Sequence, residues 1–106
     1  MKTYNKLVRD NIPDIIKNEN RFCTYRTVRN DKKQYESFLK KKLLEETEEF
    51  LENPCLEELV DIYEVIVSLL DCHNVAVKEM FDLAIKKRKV RGGFFKGIVL
   101  ETVSDS

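Results

Sequence analysis

Carboxylates are concentrated in one short stretch of this chain. The segment "LLEETEEFLENPCLEELVD", residues 43–61, has eight acidic side chains among its nineteen residues. They are Glu45, Glu46, Glu48, Glu49, Glu52, Glu57, Glu58 and Asp61. Carboxylate oxygens select hard cations such as magnesium, manganese or calcium over zinc. The segment is therefore either a cation site or a solvated acidic surface, which is the commoner role of glutamates on a helix.

Helical spacing places some of these carboxylates on an apolar face. Residues three or four apart lie on the same side of a helix. By this rule Glu46 belongs to the same seam as Leu39, Leu43 and Phe50, and Glu49 lies at the edge of that seam. Glu45 lies on the other flank of the seam, following Phe38, whereas Glu48 and Glu52 are expected to project further toward solvent.

A second pair follows in the next predicted helix. Glu58 and Asp61 are three residues apart in its first turns. Pro54 cannot continue a helix, so it predicts a short connection between two antiparallel helices. Glu46 and Glu49 are then expected to face Glu58 and Asp61.

Four facing carboxylates repel one another, and burying unpaired charge is costly. Residues 44–76 contain no Lys or Arg that could neutralise them. The sequence therefore predicts a metal site at Glu46, Glu49, Glu58 and Asp61, with Mg²⁺ as the ion and Mn²⁺ as the other candidate. Glu48, Glu52 and Glu57 are interpreted as a solvated face.

The elements that would hold this site are mainly helical. We expect one domain over residues 1–106: an antiparallel bundle of three long helices, a short N-terminal helix and a small two-stranded β element. The predicted helices run from Asp10 or Asn11 to about Glu19, from Asn30 or Asp31 to near Asn53, from Cys55 or Leu56 to about His73, and from Val77 to Arg91. The predicted strands cover about residues 21–29 and 97–103, because "RFCTYRTVR" alternates and is rich in β-forming residues.

One predicted helix is apolar on nearly every side. Between Leu59 and Leu70 only Asp61, Glu64 and Ser68 interrupt a run of aliphatic residues and Tyr63. A helix of this kind is buried on several sides, either at the centre of the fold or at a subunit interface. A chain of 106 residues supplies little cover, so we expect a homodimer or higher homo-oligomer.

The net charge of zero conceals a strong asymmetry. Residues 1–42 have twelve basic and five acidic side chains, a net charge of +7. Residues 43–82 have one basic and twelve acidic side chains, a net charge of −11. Residues 83–106 have six basic and two acidic side chains, a net charge of +4. An acidic centre would repel a phosphate backbone, which argues against a nucleic-acid partner.

No apolar run is long enough to span a bilayer, so no membrane partner is expected. The three cysteines form no paired spacing, which is typical of free thiols, and we expect a cytoplasmic protein.

The acidic motif also resembles a known family. "EETEE" followed by "EELVD" is similar to the paired motif of the MazG-like all-α nucleoside triphosphate pyrophosphohydrolases, which include phosphoribosyl-ATP pyrophosphatase and dimeric dUTPase. Glu45, Glu46 and Glu49 match its first half, and Glu58 and Asp61 its second. The N-terminal "YNKLVRDNIPDII" and the late segment "KKRKVRGGFFKGIVLE" resemble a small single-domain branch of the same superfamily, so the resemblance covers nearly the whole chain.

The resemblance implies a reaction and a set of roles. Related enzymes cleave a nucleoside triphosphate, canonical or noncanonical, between the α and β phosphates to give the monophosphate and pyrophosphate. Glu46, Glu49, Glu58 and Asp61 would hold magnesium, and Glu45 would hold or deprotonate the attacking water. The candidate phosphate-binding residues are Lys6, Arg9, Lys87 and Arg91. Lys87 and Arg91 are i, i+4 partners on the third long helix, and Arg suits bidentate phosphate contact.

A second function class fits the same residues. The chain could be a catalytically silent, metal-binding helical dimer that acts as a partner or regulatory protein. The presence of all five motif carboxylates favours the enzyme, because a degenerate relative is expected to lose at least one. The sequence leaves the base, the sugar and the choice between a triphosphate and another pyrophosphate-containing nucleotide open.

Overall fold

The computed structural model describes residues 1–105, and these residues form four helices. The helices are α1 (Ile12–Asn18), α2 (Lys32–Glu52), α3 (Leu56–Cys72) and α4 (Val77–Arg91). The predicted mainly α class is confirmed. The chain divides into two compact units, residues 1–75 with the first three helices and residues 76–105 with α4.

The helix ends follow the local chemistry of the chain. The Asp31 carboxylate accepts a hydrogen bond from the Gln34 backbone N–H at 3.1 Å, which satisfies one of the unpaired donors at the start of α2. The same helix ends at Glu52, two residues before Pro54. Gly92 ends α4 with a φ of +81°, a backbone conformation that glycine adopts readily. The predicted helix bounds are confirmed to within two residues.

The predicted two-stranded β element is wrong. Residues 21–29 and 97–103, like the rest of the described chain, contain no strand. The backbone hydrogen bonds at the first segment lie at its ends, from Arg21 N–H to the Ile16 carbonyl at 3.2 Å and from Asp31 N–H to the Val28 carbonyl at 3.0 Å. Alternating residues form a strand only when a neighbouring strand and a buried face reward the pattern. Here Phe22 is fully exposed, so the alternation buries nothing.

Helices α2 and α3 form an antiparallel hairpin, as Pro54 predicts. The start of α2 meets the end of α3, where a His73 ring nitrogen lies 3.2 Å from the Glu36 carboxylate. The end of α2 meets the start of α3, where Glu46 approaches Glu58 and Asp61. The packing of α4 against this hairpin, as the third helix of a bundle, stays a prediction.

A small apolar core holds the hairpin together. Its buried members are Leu39 on α2 and Val65 and Cys72 on α3. Leu7, Tyr35, Leu43 and Leu69 pack against them. Leu7 lies in the irregular N-terminal segment. Its packing attaches this segment to the hairpin close to the acidic motif.

Within the described chain, α3 is not covered on several sides, as a helix at the centre of the fold would be. Only Val65 and Cys72 of this helix are buried. Leu56, Leu59, Val60 and Tyr63 share one side at helical spacing and are each at least 47% exposed. This exposed stripe leaves the subunit-interface alternative in place for the apolar helix.

Helix α4 contains no buried residue. Within residues 1–105, no helix combines the length and the apolar character needed to cross a membrane.

Replacing Leu39 by alanine is expected to destabilise the hairpin, because Leu39 is only 2% exposed and a cavity would remain at the centre of the core. The expected loss in the free energy of unfolding is about 2–5 kcal/mol. Leu44→Ala on the same helix is the matched control, since Leu44 is 61% exposed, and its expected effect is within about 0.5 kcal/mol. Urea denaturation of both variants measures the difference, and equal losses would contradict the assigned core.

Candidate metal centre

Glu46 is the buried charged residue of the hairpin. It follows Leu39 and Leu43 along the core face of α2 and is 6% exposed. Its Oε2 atom is buried and has no hydrogen-bond partner among the described residues, and the same holds for Oε2 of Glu58. An unsatisfied buried carboxylate oxygen is costly to the folded state. Both atoms lie at one end of the hairpin, where a cation could satisfy them.

The carboxylates form two triads that share Glu46. One triad is Glu45, Glu46 and Glu49; the other is Glu46, Glu58 and Asp61. In each triad, one oxygen per residue lies within 4.8 Å of the others. Oxygen ligands bind Mg²⁺ or Ca²⁺ at about 2.0–2.6 Å, so two ligands of one ion lie roughly 3–5 Å apart. Either triad therefore meets the spacing of a common cation.

The structure brings the four predicted ligands together in two groups rather than one. All four predicted ligands lie at the same end of the hairpin, and the triads connect them through Glu46. They do not form one close set of four: Glu49 joins the α2 triad, while Glu58 and Asp61 join the triad that spans α2 and α3. Because Glu46 is common to both, its loss would remove a ligand from either site.

The electrostatics of Glu46 favour a bound cation. Burial raises the pKa of Glu46 above its ordinary value, and the neighbouring Glu49 carboxylate raises it further, while Lys42 opposes the shift. The ionised form is therefore disfavoured by its surroundings. A divalent cation bound to Glu46 would favour the ionised form, and the oxygen donors of the triads suit magnesium.

Lys42 is a site residue that the sequence reasoning missed. Its ammonium lies 3.4 Å from Glu46 Oε1 and 3.2 Å from Glu45 Oε2, and its side chain is only 17% exposed. It lies one turn before the acidic motif, just ahead of residues 44–76, which contain no Lys or Arg. The spacing of three and four residues to Glu45 and Glu46 is the signal that could have found it.

The N-terminal segment contributes two further cations. Lys6 Nζ lies 2.9 Å from Glu45 Oε1, and an Arg9 guanidinium nitrogen lies 2.6 Å from Asp61 Oδ1. The hydrogen bond from Lys6 lowers the pKa of Glu45, despite the opposing effect of burial, and Lys42 lowers it further. A carboxylate with a lowered pKa is a weaker base, so this ion pair bears directly on the predicted role of Glu45 in proton transfer.

A cleft of about 460 Å³ opens beside these residues. Its polar lining includes Arg9, Lys42, Glu46 and Asp61, together with Glu64 and Ser68, which the sequence reasoning also missed. Its apolar lining includes Ile12, Ile15, Tyr35 and Leu39. Ligand sites commonly combine an apolar wall with a few convergent polar groups, and this volume is in their usual range.

The other candidate residues divide into two groups. Lys87 and Arg91 are exposed on α4, in the second unit, and their part in phosphate binding stays a prediction. Glu48, Glu52 and Glu57 are exposed, which confirms the solvated face.

Replacing Glu46 by glutamine is expected to stabilise the protein in chelator. The neutral amide removes a buried charge, and the expected gain is about 1 kcal/mol, or a rise in Tm of about 4–8 °C. Because the pKa of Glu46 is raised in the folded state, its ionisation costs stability as pH rises, so the gain should be full at neutral pH and vanish near pH 4. Thermal unfolding at both pH values measures it.

Glu48→Gln is the matched control, because Glu48 is exposed on the same helix. It is expected to leave Tm within about 2 °C at either pH. A fall in Tm for Glu46→Gln at neutral pH would contradict the assignment of Glu46 as an unfavourable buried charge.

Comparison with protein-family models, with curated proteins and with solved structures finds no match to this chain. The MazG-like resemblance therefore rests on the three sequence segments that carry it.

Proposed function

We propose that this protein is a magnesium-dependent nucleotide pyrophosphohydrolase of the MazG-like type. The observation that carries the proposal is the pair of carboxylate triads that share the buried Glu46. The residues in these triads are the five that match the paired motif of that superfamily. The proposed reaction cleaves a canonical or noncanonical nucleoside triphosphate between the α and β phosphates.

Each triad residue has a role in this proposal. Glu46, Glu49, Glu58 and Asp61 hold one or more Mg²⁺ ions, and Mn²⁺ is the alternative metal. The metal supplies charge neutralisation to the phosphate oxygens and activates water. Glu45 accepts the proton of the attacking water, which requires that Lys6 leave its Oε1, because Lys42 is bonded to its Oε2.

The cleft supports a substrate with two chemically different ends. Arg9 and Lys42 are donors that suit phosphate oxygens. Ile12, Ile15 and Tyr35 offer apolar and aromatic surface for the nucleoside. The proposed phosphate-binding residues are Lys6 and Arg9, with Lys87 and Arg91 as further candidates on α4.

We also propose that the active form is a homodimer or a higher homo-oligomer in the cytoplasm. The support is the exposed stripe of Leu56, Leu59, Val60 and Tyr63 on α3. Large apolar patches on a folded protein mark interaction sites. With 3.6 residues per turn, Glu58 and Asp61 lie on the opposite side of α3 from this stripe, so a partner subunit bound there would leave the metal centre accessible.

The catalytically silent metal-binding dimer remains the second candidate, favoured by the same exposed stripe. The complete set of motif carboxylates favours the enzyme. An activity screen separates the two: the protein is incubated with Mg²⁺ and a panel of canonical and modified nucleoside triphosphates, and released pyrophosphate and monophosphate are measured.

The expected result is Mg²⁺-dependent release of pyrophosphate, with activity reduced by about 10²-fold or more in Glu46→Gln and in Asp61→Asn. Glu48→Gln, on the same helix but exposed, should retain full activity. Full activity of both site variants would show that the site is placed wrongly. No hydrolysis of any nucleotide, with Mg²⁺ binding intact, would favour the silent dimer.

A charge in the exposed stripe is expected to separate the subunits. Leu59→Lys places an ammonium in the middle of the proposed interface, whereas Leu51→Lys changes a similarly exposed leucine on α2 outside the stripe. Size-exclusion chromatography with light scattering should show a smaller particle for the first variant and an unchanged one for the second. A monomeric wild-type protein would sink the oligomer proposal.

A further inference from the structure

Two of the predicted phosphate-binding cations are bonded to the predicted site carboxylates. Lys6 is paired with Glu45, and Arg9 with Asp61, at 2.9 and 2.6 Å. A carboxylate oxygen that accepts a charge-assisted hydrogen bond is not free to bind a metal ion or take a proton from water. Conversely, a cation held by a carboxylate is not free to bind phosphate. Opening each pair would therefore free one carboxylate oxygen for a metal ion or water and free the cation for phosphate.

The way the N-terminal segment is attached makes such opening inexpensive. Leu7 packs against the hairpin core between the two cations, so an apolar contact holds the backbone. The side chains of Lys6 and Arg9 are 43% and 54% exposed. Exposed ion pairs contribute little to the stability of a folded protein. The two side chains can thus change partner while Leu7 keeps their backbone beside the cleft.

The proposed reaction requires phosphate-binding groups beside the carboxylate triads. Arg9 lines the cleft together with Asp61 and Glu46. Glu46 is more than nine-tenths buried, and one of its oxygens has no partner among the described residues. A bound cation would satisfy this oxygen, whereas water satisfies the oxygens of glutamates on a surface. Metal binding at the triads adds positive charge next to both ion pairs, which weakens the hold of each carboxylate on its cation.

We infer that Lys6 and Arg9 are exchangeable cations, transferred from Glu45 and Asp61 to the phosphate oxygens of a polyphosphate ligand when Mg²⁺ binds the triads. This inference rests on the proposed function. Its consequence is that Mg²⁺ and polyphosphate bind cooperatively, because the metal releases the groups that contact phosphate. Lys42 differs from both, since it belongs to α2 itself and stays beside Glu45 and Glu46 as a fixed positive charge.

Binding measurements test the exchange without relying on catalysis. Calorimetry gives the Kd of Mg²⁺, and then the Kd of inorganic tripolyphosphate in saturating Mg²⁺, for wild type, Lys6→Gln and Arg9→Gln. Lys41→Gln is the matched control, because Lys41 is an exposed lysine on α2 whose loss makes the same change in net charge.

The expected changes have opposite signs. Lys6→Gln and Arg9→Gln should bind Mg²⁺ about two- to fivefold more tightly, because a competing cation is gone. Both should bind tripolyphosphate about tenfold more weakly, because a phosphate contact is lost. Lys41→Gln should change either Kd by less than about twofold. Lys6→Arg and Arg9→Lys preserve the charge and should behave much like wild type, which guards against misfolding of the neutral variants.

Three outcomes would overturn the inference. If the neutral variants match Lys41→Gln in both titrations, the ion pairs are only surface contacts. If they weaken Mg²⁺ and tripolyphosphate alike, Lys6 and Arg9 are structural. If wild type binds no Mg²⁺, the exchange and the proposed function fail together, whereas normal Mg²⁺ and tripolyphosphate binding with no nucleotide hydrolysis would spare the exchange and remove only the activity.

Discussion

The buried Glu46 carboxylate is the constraint around which this end of the hairpin is organised. Helix α2 places it on the core face, where burial and Glu49 both raise its pKa. Lys42 compensates only one of its oxygens, and the other has no partner among residues 1–105. The fold therefore tolerates an unsatisfied carboxylate at a cost in stability, and costs of this kind are common at functional sites.

The rest of the site can be understood as charge arranged around that carboxylate. Triads on both sides of Glu46 concentrate negative charge, and three cations from two elements balance it. Lys42 comes from the helix that carries Glu46, whereas Lys6 and Arg9 come from a segment held by Leu7. The difference in attachment separates a fixed charge from two adjustable ones.

Most of the hairpin and its acidic cluster could be predicted from local rules. The period of α2 placed Glu46 on the apolar seam, and Pro54 fixed the turn that brings Glu58 and Asp61 to it. The prediction of two strands was wrong because the alternation around Phe22 does not show whether a partner strand exists. The pairing of Lys6 with Glu45 spans 39 positions in the chain, and no local rule can supply a contact of that range.

The exposed stripe on α3 is separate from the metal centre. The residues that made α3 appear central in sequence, Leu59, Val60 and Tyr63, lie on its exposed side, while Val65 and Cys72 supply its part of the core. With 3.6 residues per turn, Glu58 and Asp61 lie on the same side of α3 as Val65 and Cys72, opposite the stripe. A partner that covered the stripe would therefore leave the surroundings of both carboxylates unchanged. Assembly through the stripe and cation binding at the triads are expected to be independent properties of the two faces of one helix.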